Sequence, residues 1–438
     1  MQEPVDLEAA AKEVLENNRR GDYTIPREGL YPHQWLWDSC FIAIGLRHYD
    51  IDRAQKEVLS LLRGQWHNGM LPNIILSKNR GRHGSIWHSW LSPLSPDHVS
   101  TSGITQPPML AEAVQKIGAK LSKPERRSWY QKVYPALLAY HEWLYAERDP
   151  HGEGLTLQVH PWETGLDNTP PWMFELHQHE LPFWVKLATK KPVEKVIDTV
   201  RPDLFYTGQD QRLSAYEFLA MYYVQRRLRR KLYDIDRMLS HSLFAIEDLT
   251  FNSILIRANH YLRSIAKDIG KKLPDELLES MRKTEAALET LWDETSGQYY
   301  SRNFVTHNLI PVPSIATFMP LYSGKITKER AAQLVKLLDE KKSFGPKYPV
   351  PSTPVNSDWF NPHHYWQGPT WVNTNWLIID GLRQYGFIEE AEKLARKTLE
   401  LVEKSGFYEY FSPLDGSPAG TNNFSWTAAL AVDLLKNS

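Results

Sequence analysis

Apolar residues recur at helical spacing through most of the 438 residues, and no stretch alternates strand and helix patterns. In the first segment, Leu7, Ala11 and Val14 fall on one stripe, and Gly21 ends the pattern. The same spacing predicts helices over residues 7–20, 39–48, 52–66, 106–121, 126–148, 213–232, 250–270, 274–292, 315–321, 328–341, 369–385, 388–404 and 424–435. The sequence therefore predicts an all-α chain.

The segments between these helices alternate between short turns and long loops rich in Trp, Tyr, Pro and Asn. A ring of helix hairpins explains this rhythm, with inner and outer helices alternating and the long loops gathered at one mouth. We therefore predict an (α/α)6 barrel. An all-α solenoid is the alternative, although no fixed repeat period is present. No linker is visible, so residues 1–438 are predicted to form one domain, with the irregular segments 81–102 and 175–211 as lids.

Charge and cysteine content exclude several classes of protein. The chain has 51 basic and 52 acidic residues, which gives no electrostatic footprint for nucleic acid or an anionic membrane. Cys40 is the only cysteine, so no internal disulfide can form, and no signal peptide or membrane span is visible. We expect a cytoplasmic protein with a small-molecule substrate and with neither a cofactor nor a metal site. The sequence leaves a homo-oligomer open.

The stretch 160–172 carries the clearest chemical signal. Glu163 and Asp167 lie four residues apart with Gly165 between them, and Trp162 and Trp172 flank the pair. The Gly and neighbouring Pro residues favour a shaped loop over a helix. A carboxyl group beside indole rings is partly desolvated, which raises its pKa as a general acid requires. The alternative interpretation is a buried, capped turn between two helices.

Hydrolysis of a glycosidic bond needs two carboxyl groups on opposite sides of the sugar. Acidic residues in aromatic loops are the candidates: Asp38, Glu163, Asp167, Asp358 and Glu409. Glu409 stands between two Tyr residues after a helix stop, and a strand there would place it on the same side as Phe407 and Phe411. An exposed acid on a hairpin is the alternative for Glu409.

Several groups near predicted helix starts have the composition of sugar contacts. They are Tyr31, Gln34, Trp35, Trp37 and Asp38; Thr105-Gln106-Pro107-Pro108; and His364-Tyr-Trp-Gln-Gly-Pro-Thr-Trp371. Each group alone is as consistent with packing or helix capping as with binding. Their recurrence in one chain favours a carbohydrate site, with aromatic faces for C–H groups and polar side chains for hydroxyls.

Five motifs, in order along the chain, resemble those of glycoside hydrolase family 63, in particular its short bacterial members that hydrolyse mannosylglycerate and glucosylglycerate. The motifs are Trp35-Leu-Trp-Asp38, Thr101-Ser-Gly-Ile-Thr-Gln106, Trp162-Glu-Thr-Gly-Leu-Asp-Asn168, Tyr365-Trp-Gln-Gly-Pro-Thr-Trp371 and Phe407-Tyr-Glu-Tyr410. The resemblance implies an (α/α)6 barrel and hydrolysis with inversion, with Asp167 as general acid and Glu409 as general base. It also implies that the sugar subsite is lined by Tyr31, Trp35, Asp38, Trp162, Gly165, Tyr365, Trp366, Gln367 and Trp371.

The resemblance also indicates how the leaving group of the substrate, glycerate, is bound. Family members with small substrates hold the glycerate carboxylate with an Arg of an Arg-Pro segment, and Arg201-Pro202 stands in that place with Tyr206 nearby. The Asp-Tyr run that usually follows is here Phe-Tyr-Thr-Gly-Gln-Asp. We therefore expect an inverting α-glycosidase acting on mannosylglycerate or glucosylglycerate. Glu163 is expected to hold the loop or a sugar hydroxyl.

Two other functions are consistent with the sequence. An α-glucosidase acting on a neutral disaccharide or a glycan end would use the same two carboxyl groups. A sugar isomerase or epimerase on a helical toroid would instead rely on His residues as acid and base, and His160, His363 and His364 lie in suitable loops.

Overall fold

The computed structural model describes residues 6–77 and 84–437. Within these residues most of the regular structure is helical, which confirms the prediction of a mainly helical chain. The helices are α1 Leu7–Asn17, α2 Leu36–Leu46, α3 Ile51–Leu62, α4 Gly84–Trp87, α5 Leu110–Gly118, α6 Lys123–Arg148, α7 Pro170–His177, α8 Phe183–Lys186, α9 Lys191–Val200, α10 Ala215–Arg230, α11 Ile235–Leu239, α12 Leu249–Asp268, α13 Asp275–Ala287, α14 Met319–Ser323, α15 Lys328–Leu338, α16 Val372–Gln384, α17 Ile388–Ser405 and α18 Ser425–Lys436.

The strands of the described chain are two residues long and pair only in antiparallel couples. They are β1 Arg19–Arg20, β2 Tyr23–Thr24, β3 Gln34–Trp35, β4 Ile74–Ile75, β5 Ile246–Glu247, β6 Trp292–Asp293, β7 Gln298–Tyr299, β8 Arg302–Asn303, β9 Tyr410–Phe411 and β10 Pro418–Ala419. The couples are β1 with β2, β3 with β4, β5 with β8, β6 with β7, and β9 with β10. These short couples form no larger sheet within the described chain.

The helices differ in how much of their surface is buried. Every residue of α2 is buried, and α16 and α18 are buried along nearly their whole length. In contrast, α17 buries a stripe that includes Ala391, Leu394, Ala395 and Val402, while most of its remaining positions are charged. A helix that is apolar all round lies inside a core, whereas a striped helix covers it from outside.

Contacts between the buried helices run from one to the next along the chain. Helix α2 packs against α5, α5 against α12, α12 against α14, α14 against α16, α16 against α18, and α18 against α2. The succession therefore returns to the helix where it began. Gly45 permits the last contact, because a Cβ atom at that position would lie 2.5 Å from the carbonyl oxygen of Ala429.

Several predicted helix starts are wrong. Helix α2 begins at Leu36 rather than at residue 39, so Asp38 lies in its first turn. The backbone N–H of Leu36 donates to the carbonyl oxygen of Asn73 at 3.0 Å, so a tertiary contact takes the place of a side-chain cap. The helix predicted over residues 369–385 also begins later, at Val372, so Pro369 precedes it.

The two predicted lid segments have some regular structure. The segment 175–211, which shows little pattern in the sequence, contains α8 and α9 together with short 3-10 turns. In the segment 81–102, residues 81–83 lie outside the described residues, and α4 is followed by irregular chain up to residue 102.

Candidate active site

A cavity that is open to solvent is built mainly from the segments that precede α2, α5, α7, α10, α16 and α18. Most of the predicted site residues meet in its walls, although they come from five distant parts of the sequence. They are Tyr31, Trp35, Asp38, Gln106, Trp162, Gly165, Asp167, Tyr365, Trp366 and Glu409. The cavity therefore combines aromatic rings with carboxyl groups, as a carbohydrate site requires.

The loop that carries Asp167 is fixed by hydrogen bonds within 160–172. The hydroxyl of Thr164 donates to the carbonyl oxygen of Pro161 at 2.7 Å and accepts the indole N–H of Trp172 at 3.0 Å. Gly165 adopts a φ of +76°, and a Cβ atom there would lie 2.6 Å from the ring of Trp37. Only glycine meets both demands, so the sequence sets the sharp bend that precedes Asp167.

Asp167 faces the cavity in an environment that favours its protonated form. Burial raises the pKa of its carboxyl group to about 6, and the nearby charge of Glu409 acts in the same direction. The hydroxyl of Tyr365 donates to Oδ2 of Asp167 at 2.9 Å and partly opposes this rise, because it stabilises the charged form. A carboxyl group with such a pKa can donate a proton near neutral pH.

Glu409 lies immediately before β9 and lines the same cavity as Asp167. Its Oε1 atom accepts the hydroxyl of Tyr31 at 2.8 Å and Nη1 of Arg212 at 3.1 Å. The backbone N–H of Thr421 donates to Oε2 at 3.3 Å. Donors therefore hold both oxygens of Glu409, in the wall of the cavity that Asp167 also lines.

Indole rings form another part of the cavity wall. Trp87 of α4 lies with its ring centroid 4.4 Å from that of Trp162 and 5.8 Å from that of Trp35. Asp38 lies in the same cavity, and burial raises the pKa of its carboxyl group well above the ordinary value. A protonated Asp38 can both donate and accept hydrogen bonds, which suits contact with a hydroxyl group.

Glu163 supports the loop from behind the cavity. Its carboxylate accepts Nη2 of Arg148 at 2.7 Å and the backbone N–H groups of Val159 and Thr105 at 2.8 and 3.2 Å. Both charged side chains are buried, with exposed fractions of 2% for Arg148 and 0% for Glu163. Glu163 therefore joins the loop to α6 and to the segment before α5, in line with its predicted supporting role.

Four predicted substrate contacts lie outside the cavity wall. Gln367 donates to the backbone oxygen of Asn168 at 2.8 Å, and the ring of Trp371 stacks on Trp366 with centroids 3.8 Å apart. Tyr206 is 44% exposed and covers Gly29. Arg201 is buried, and its guanidinium pairs with Asp203 at 2.5 Å. Their roles as substrate contacts stay predictions.

The three His residues named as candidates for an isomerase, His160, His363 and His364, do not line the cavity, whereas His33 does. Nε2 of His160 is 3.0 Å from the carbonyl oxygen of Met221, and Nε2 of His363 is 3.0 Å from the hydroxyl of Ser417. His364 pairs with Glu217 at 3.3 Å.

Among the described residues, no group of three or more His, Cys, Asp or Glu side chains could hold a metal ion. The helices of this described part include none that is long and apolar enough to cross a membrane.

Sequence reasoning missed several residues of the wall. Ile86 and Trp87 fall within a segment predicted as a lid, without a role for any one side chain. Arg212 lies just before the Ser214 cap of α10 and belongs to no motif. The only sequence signal for Arg212 was its position next to the predicted lid.

The chain is similar to known glycoside hydrolases over nearly its whole length. Residues 31–427 match the family model described as the mannosylglycerate hydrolase MGH1-like glycoside hydrolase domain. A mannosylglycerate hydrolase of Thermus thermophilus is 39% identical over 96% of this chain and 99% of its own length. A glucosylglycerate hydrolase of Mycolicibacterium hassiacum is 31% identical over 99% of this chain and 98% of its own length.

A solved structure shares the fold. The family 63 mannosylglycerate hydrolase from another strain of Thermus thermophilus, in complex with Tris and D-glycerate, aligns with a TM-score of 0.87 and 36% identity. The alignment covers 98% of this chain and 100% of the Thermus chain. Family, sequence and fold agree, so the chain belongs to the mannosylglycerate hydrolase MGH1-like family of glycoside hydrolases and is itself a glycoside hydrolase.

Proposed function

We propose that the protein is an inverting α-glycosidase in which Asp167 is the general acid and Glu409 the general base. The anomeric carbon–oxygen bond breaks as Asp167 gives its proton to the leaving oxygen. A water molecule on the opposite face bonds to the anomeric carbon and passes a proton to Glu409. The observation that carries the proposal is that both carboxyl groups line one cavity. Inversion requires them to stand ~6.5–9.5 Å apart with the water between them.

We propose that the rings and polar groups around these two residues bind the sugar. Trp35, Trp162 and Trp366 offer aromatic faces to its C–H groups, and Asp38 and Gln106 offer hydrogen bonds to its hydroxyl groups. All five side chains line the same cavity as the two carboxyl groups. Gln367 and Trp371, in contrast, are suited to hold the loop of Tyr365 against the loop of Asp167.

The substrate we propose is mannosylglycerate or glucosylglycerate, the compounds named for the two relatives. A glycerate group needs a cation, and Arg201 lies directly behind the cavity wall. Its guanidinium contacts Asp203, the carbonyl oxygen of Leu213 and the ring of Phe218, all of which line the cavity. Binding of the substrate carboxylate would replace the pairing with Asp203.

Arg201→Ala is therefore expected to raise KM for a glycosylglycerate by ~10-fold or more, because a charge-assisted hydrogen bond is lost. KM for a neutral α-glycoside such as an α-linked disaccharide should change much less. Steady-state kinetics on purified protein with mannosylglycerate, glucosylglycerate and neutral disaccharides measures both effects. Equal changes for charged and neutral substrates, or hydrolysis of the neutral disaccharides alone, would favour the neutral α-glucosidase instead.

The pH dependence of kcat/KM should reflect the protonation of Asp167 in the free enzyme. Because its pKa lies at about 6, we expect kcat/KM to fall as pH rises through this value. Tyr365→Phe removes a hydrogen bond that stabilises the charged form, so the falling limb should move to higher pH. Tyr348→Phe serves as control, since that hydroxyl contacts Glu400 and does not line the cavity. A limb that moves to lower pH in Tyr365→Phe would contradict the assignment.

We also propose that the cycle of contacts from α2 through α18 is the inner ring of an (α/α)6 barrel. Support comes from the burial of α2, α16 and α18 on all sides and from the one-sided burial of α17. The segments 81–102 and 175–211 would then act as lids on a single domain. A cytoplasmic location is a further proposal, supported by the single cysteine.

A further inference from the structure

Arg212 is the only Arg or Lys of the described residues that lines the cavity. Its side chain is buried, with 7% of its surface exposed, and it is separated from Glu409 by 197 residues in sequence. A buried cation costs free energy unless it has well-placed partners. The partners of Arg212 therefore indicate what this residue does.

The first set of partners holds Glu409. Nη1 of Arg212 donates to Oε1 of Glu409 at 3.1 Å, and Nη2 donates to the hydroxyl oxygen of Tyr31 at 2.7 Å. That hydroxyl donates in turn to the same Oε1 atom at 2.8 Å. With the backbone N–H of Thr421 on Oε2, donors on both oxygens fix the plane of the carboxylate. A base that must face one water molecule needs such a fixed direction.

The other partner of Arg212 is the ring of Tyr365, which in turn contacts Asp167. The guanidinium carbon of Arg212 lies 4.1 Å from the ring centroid of Tyr365, within the range of a cation–π contact. The hydroxyl of Tyr365 donates to Asp167 at 2.9 Å. Nε of Arg212 is buried and has no hydrogen-bond partner among the residues that the structure describes. Arg212 thus donates to Glu409 and Tyr31 while its own Nε–H stays without a partner among the described residues. Such departures from complete hydrogen bonding are expected at functional sites.

We propose that Arg212 is a positioning residue that orients the carboxylate of Glu409 toward the attacking water. The inference rests on the proposed roles of Glu409 and Asp167. The direct hydrogen bond goes to Glu409, whereas the contact toward Asp167 passes through the ring of Tyr365. The main effect of Arg212 is therefore on the base, and binding of the glycerate group is left to Arg201.

The test compares Arg212→Met and Arg212→Lys on two substrates, a glycosylglycerate and the α-glycosyl fluoride with the same sugar. Fluoride leaves without a proton from the acid, but the attacking water still needs the base. Arg212→Met should lower kcat by ~100-fold on both substrates, with KM changed by less than ~3-fold. Arg212→Lys should restore part of kcat, because it returns the charge near Oε1 without the two-pronged geometry.

Controls separate this role from a structural one. Arg226→Met alters an exposed residue of α10 that does not line the cavity, and it should leave kcat unchanged. If Arg212→Met does not fold, as circular dichroism would show, Tyr31→Phe replaces it. Tyr31→Phe removes one of the two donors on Oε1, and kcat should fall by ~10-fold on both substrates.

Three results would overturn the inference. Wild-type kcat in Arg212→Met, or in Tyr31→Phe where that variant replaces it, would mean that Glu409 is oriented without these hydrogen bonds. Loss on the glycosylglycerate with full fluoride hydrolysis would place Arg212 with the acid. A rise in KM confined to the charged substrate would make it a carboxylate receptor. Glu409→Gln is measured alongside: if it keeps turnover, the proposed function itself fails, whereas loss in Glu409→Gln with full activity in Arg212→Met rejects only the role of Arg212.

Discussion

Asp167→Asn should lower kcat for a glycosylglycerate by ~10²–10⁴-fold, the range typical for loss of a general acid. The amide has no proton of suitable acidity to give to the leaving oxygen. The side chain keeps its shape, and its oxygen can still accept the hydroxyl of Tyr365, so the loop 160–172 should stay folded. KM should change little, because the loss concerns the transition state more than the bound substrate.

The α-glycosyl fluoride shows whether the missing function is proton donation. Because fluoride leaves unassisted, Asp167→Asn should hydrolyse it with a kcat much closer to that of the wild type. Asp52→Asn is a matched control, since Asp52 is exposed and pairs only with Lys56 on the surface of α3. Equal losses on both substrates in Asp167→Asn would mean that Asp167 does not act as the acid.

Arg148→Met should have the largest effect on stability, lowering the free energy of unfolding by ~3–5 kcal/mol. The substitution keeps an apolar stem of similar length but leaves the buried carboxylate of Glu163 without its cation. The N–H groups of Val159 and Thr105 compensate only part of this charge. Urea unfolding followed by circular dichroism measures the difference.

The effect of Arg148→Met should depend on pH in a defined direction. Burial already raises the pKa of Glu163, and removal of the cation raises it further. The folded variant then binds a proton that the unfolded chain releases above its own pKa of ~4.3, so the variant loses stability as pH rises through that value toward the folded-state pKa. The deficit should therefore be smaller near pH ~5 than near pH ~8.

Two further variants identify the cause of the deficit. Arg148→Met combined with Glu163→Gln removes both charges and should recover most of the stability. Arg126→Met breaks a more exposed pair with Asp268, whose exposed fractions are 31% and 27%, and should cost less than ~1 kcal/mol. A deficit that persists unchanged in the double variant would mean that packing, rather than the unpaired charge, explains it.

The parts of the site that the sequence predicts well are those encoded over a few residues. The bend before Asp167 follows from Gly165 and the surrounding Pro and Trp residues, and the order of the aromatic motifs implied ten residues of the wall but not Trp87 or Arg212. The helices behaved likewise: the striped pattern of α17 predicted residues 388–404, and the structure gives Ile388–Ser405.

The parts that the sequence could not predict depend on contacts between distant segments. Helix α2 starts at Leu36 because Asn73, on a different segment, satisfies its first N–H. Arg212 reaches Glu409 only because the chain from 201 to 214 folds over the cavity, and no local pattern encodes that path. Arg201, which the resemblance assigns to the glycerate carboxylate, pairs in the structure with Asp203 two residues away, a contact that no motif encodes.

The stereochemistry of the first product tests the central claim most directly. Proton NMR of the anomeric region, recorded in the first minutes of hydrolysis of an α-glycosylglycerate, distinguishes the two anomers before they interconvert. If a water activated by Glu409 attacks opposite to the bond that Asp167 protonates, the β-anomer of the free sugar appears first, together with glycerate. Appearance of the α-anomer first would contradict the assignment of the two carboxyl groups, and a single isomeric product would contradict hydrolysis itself.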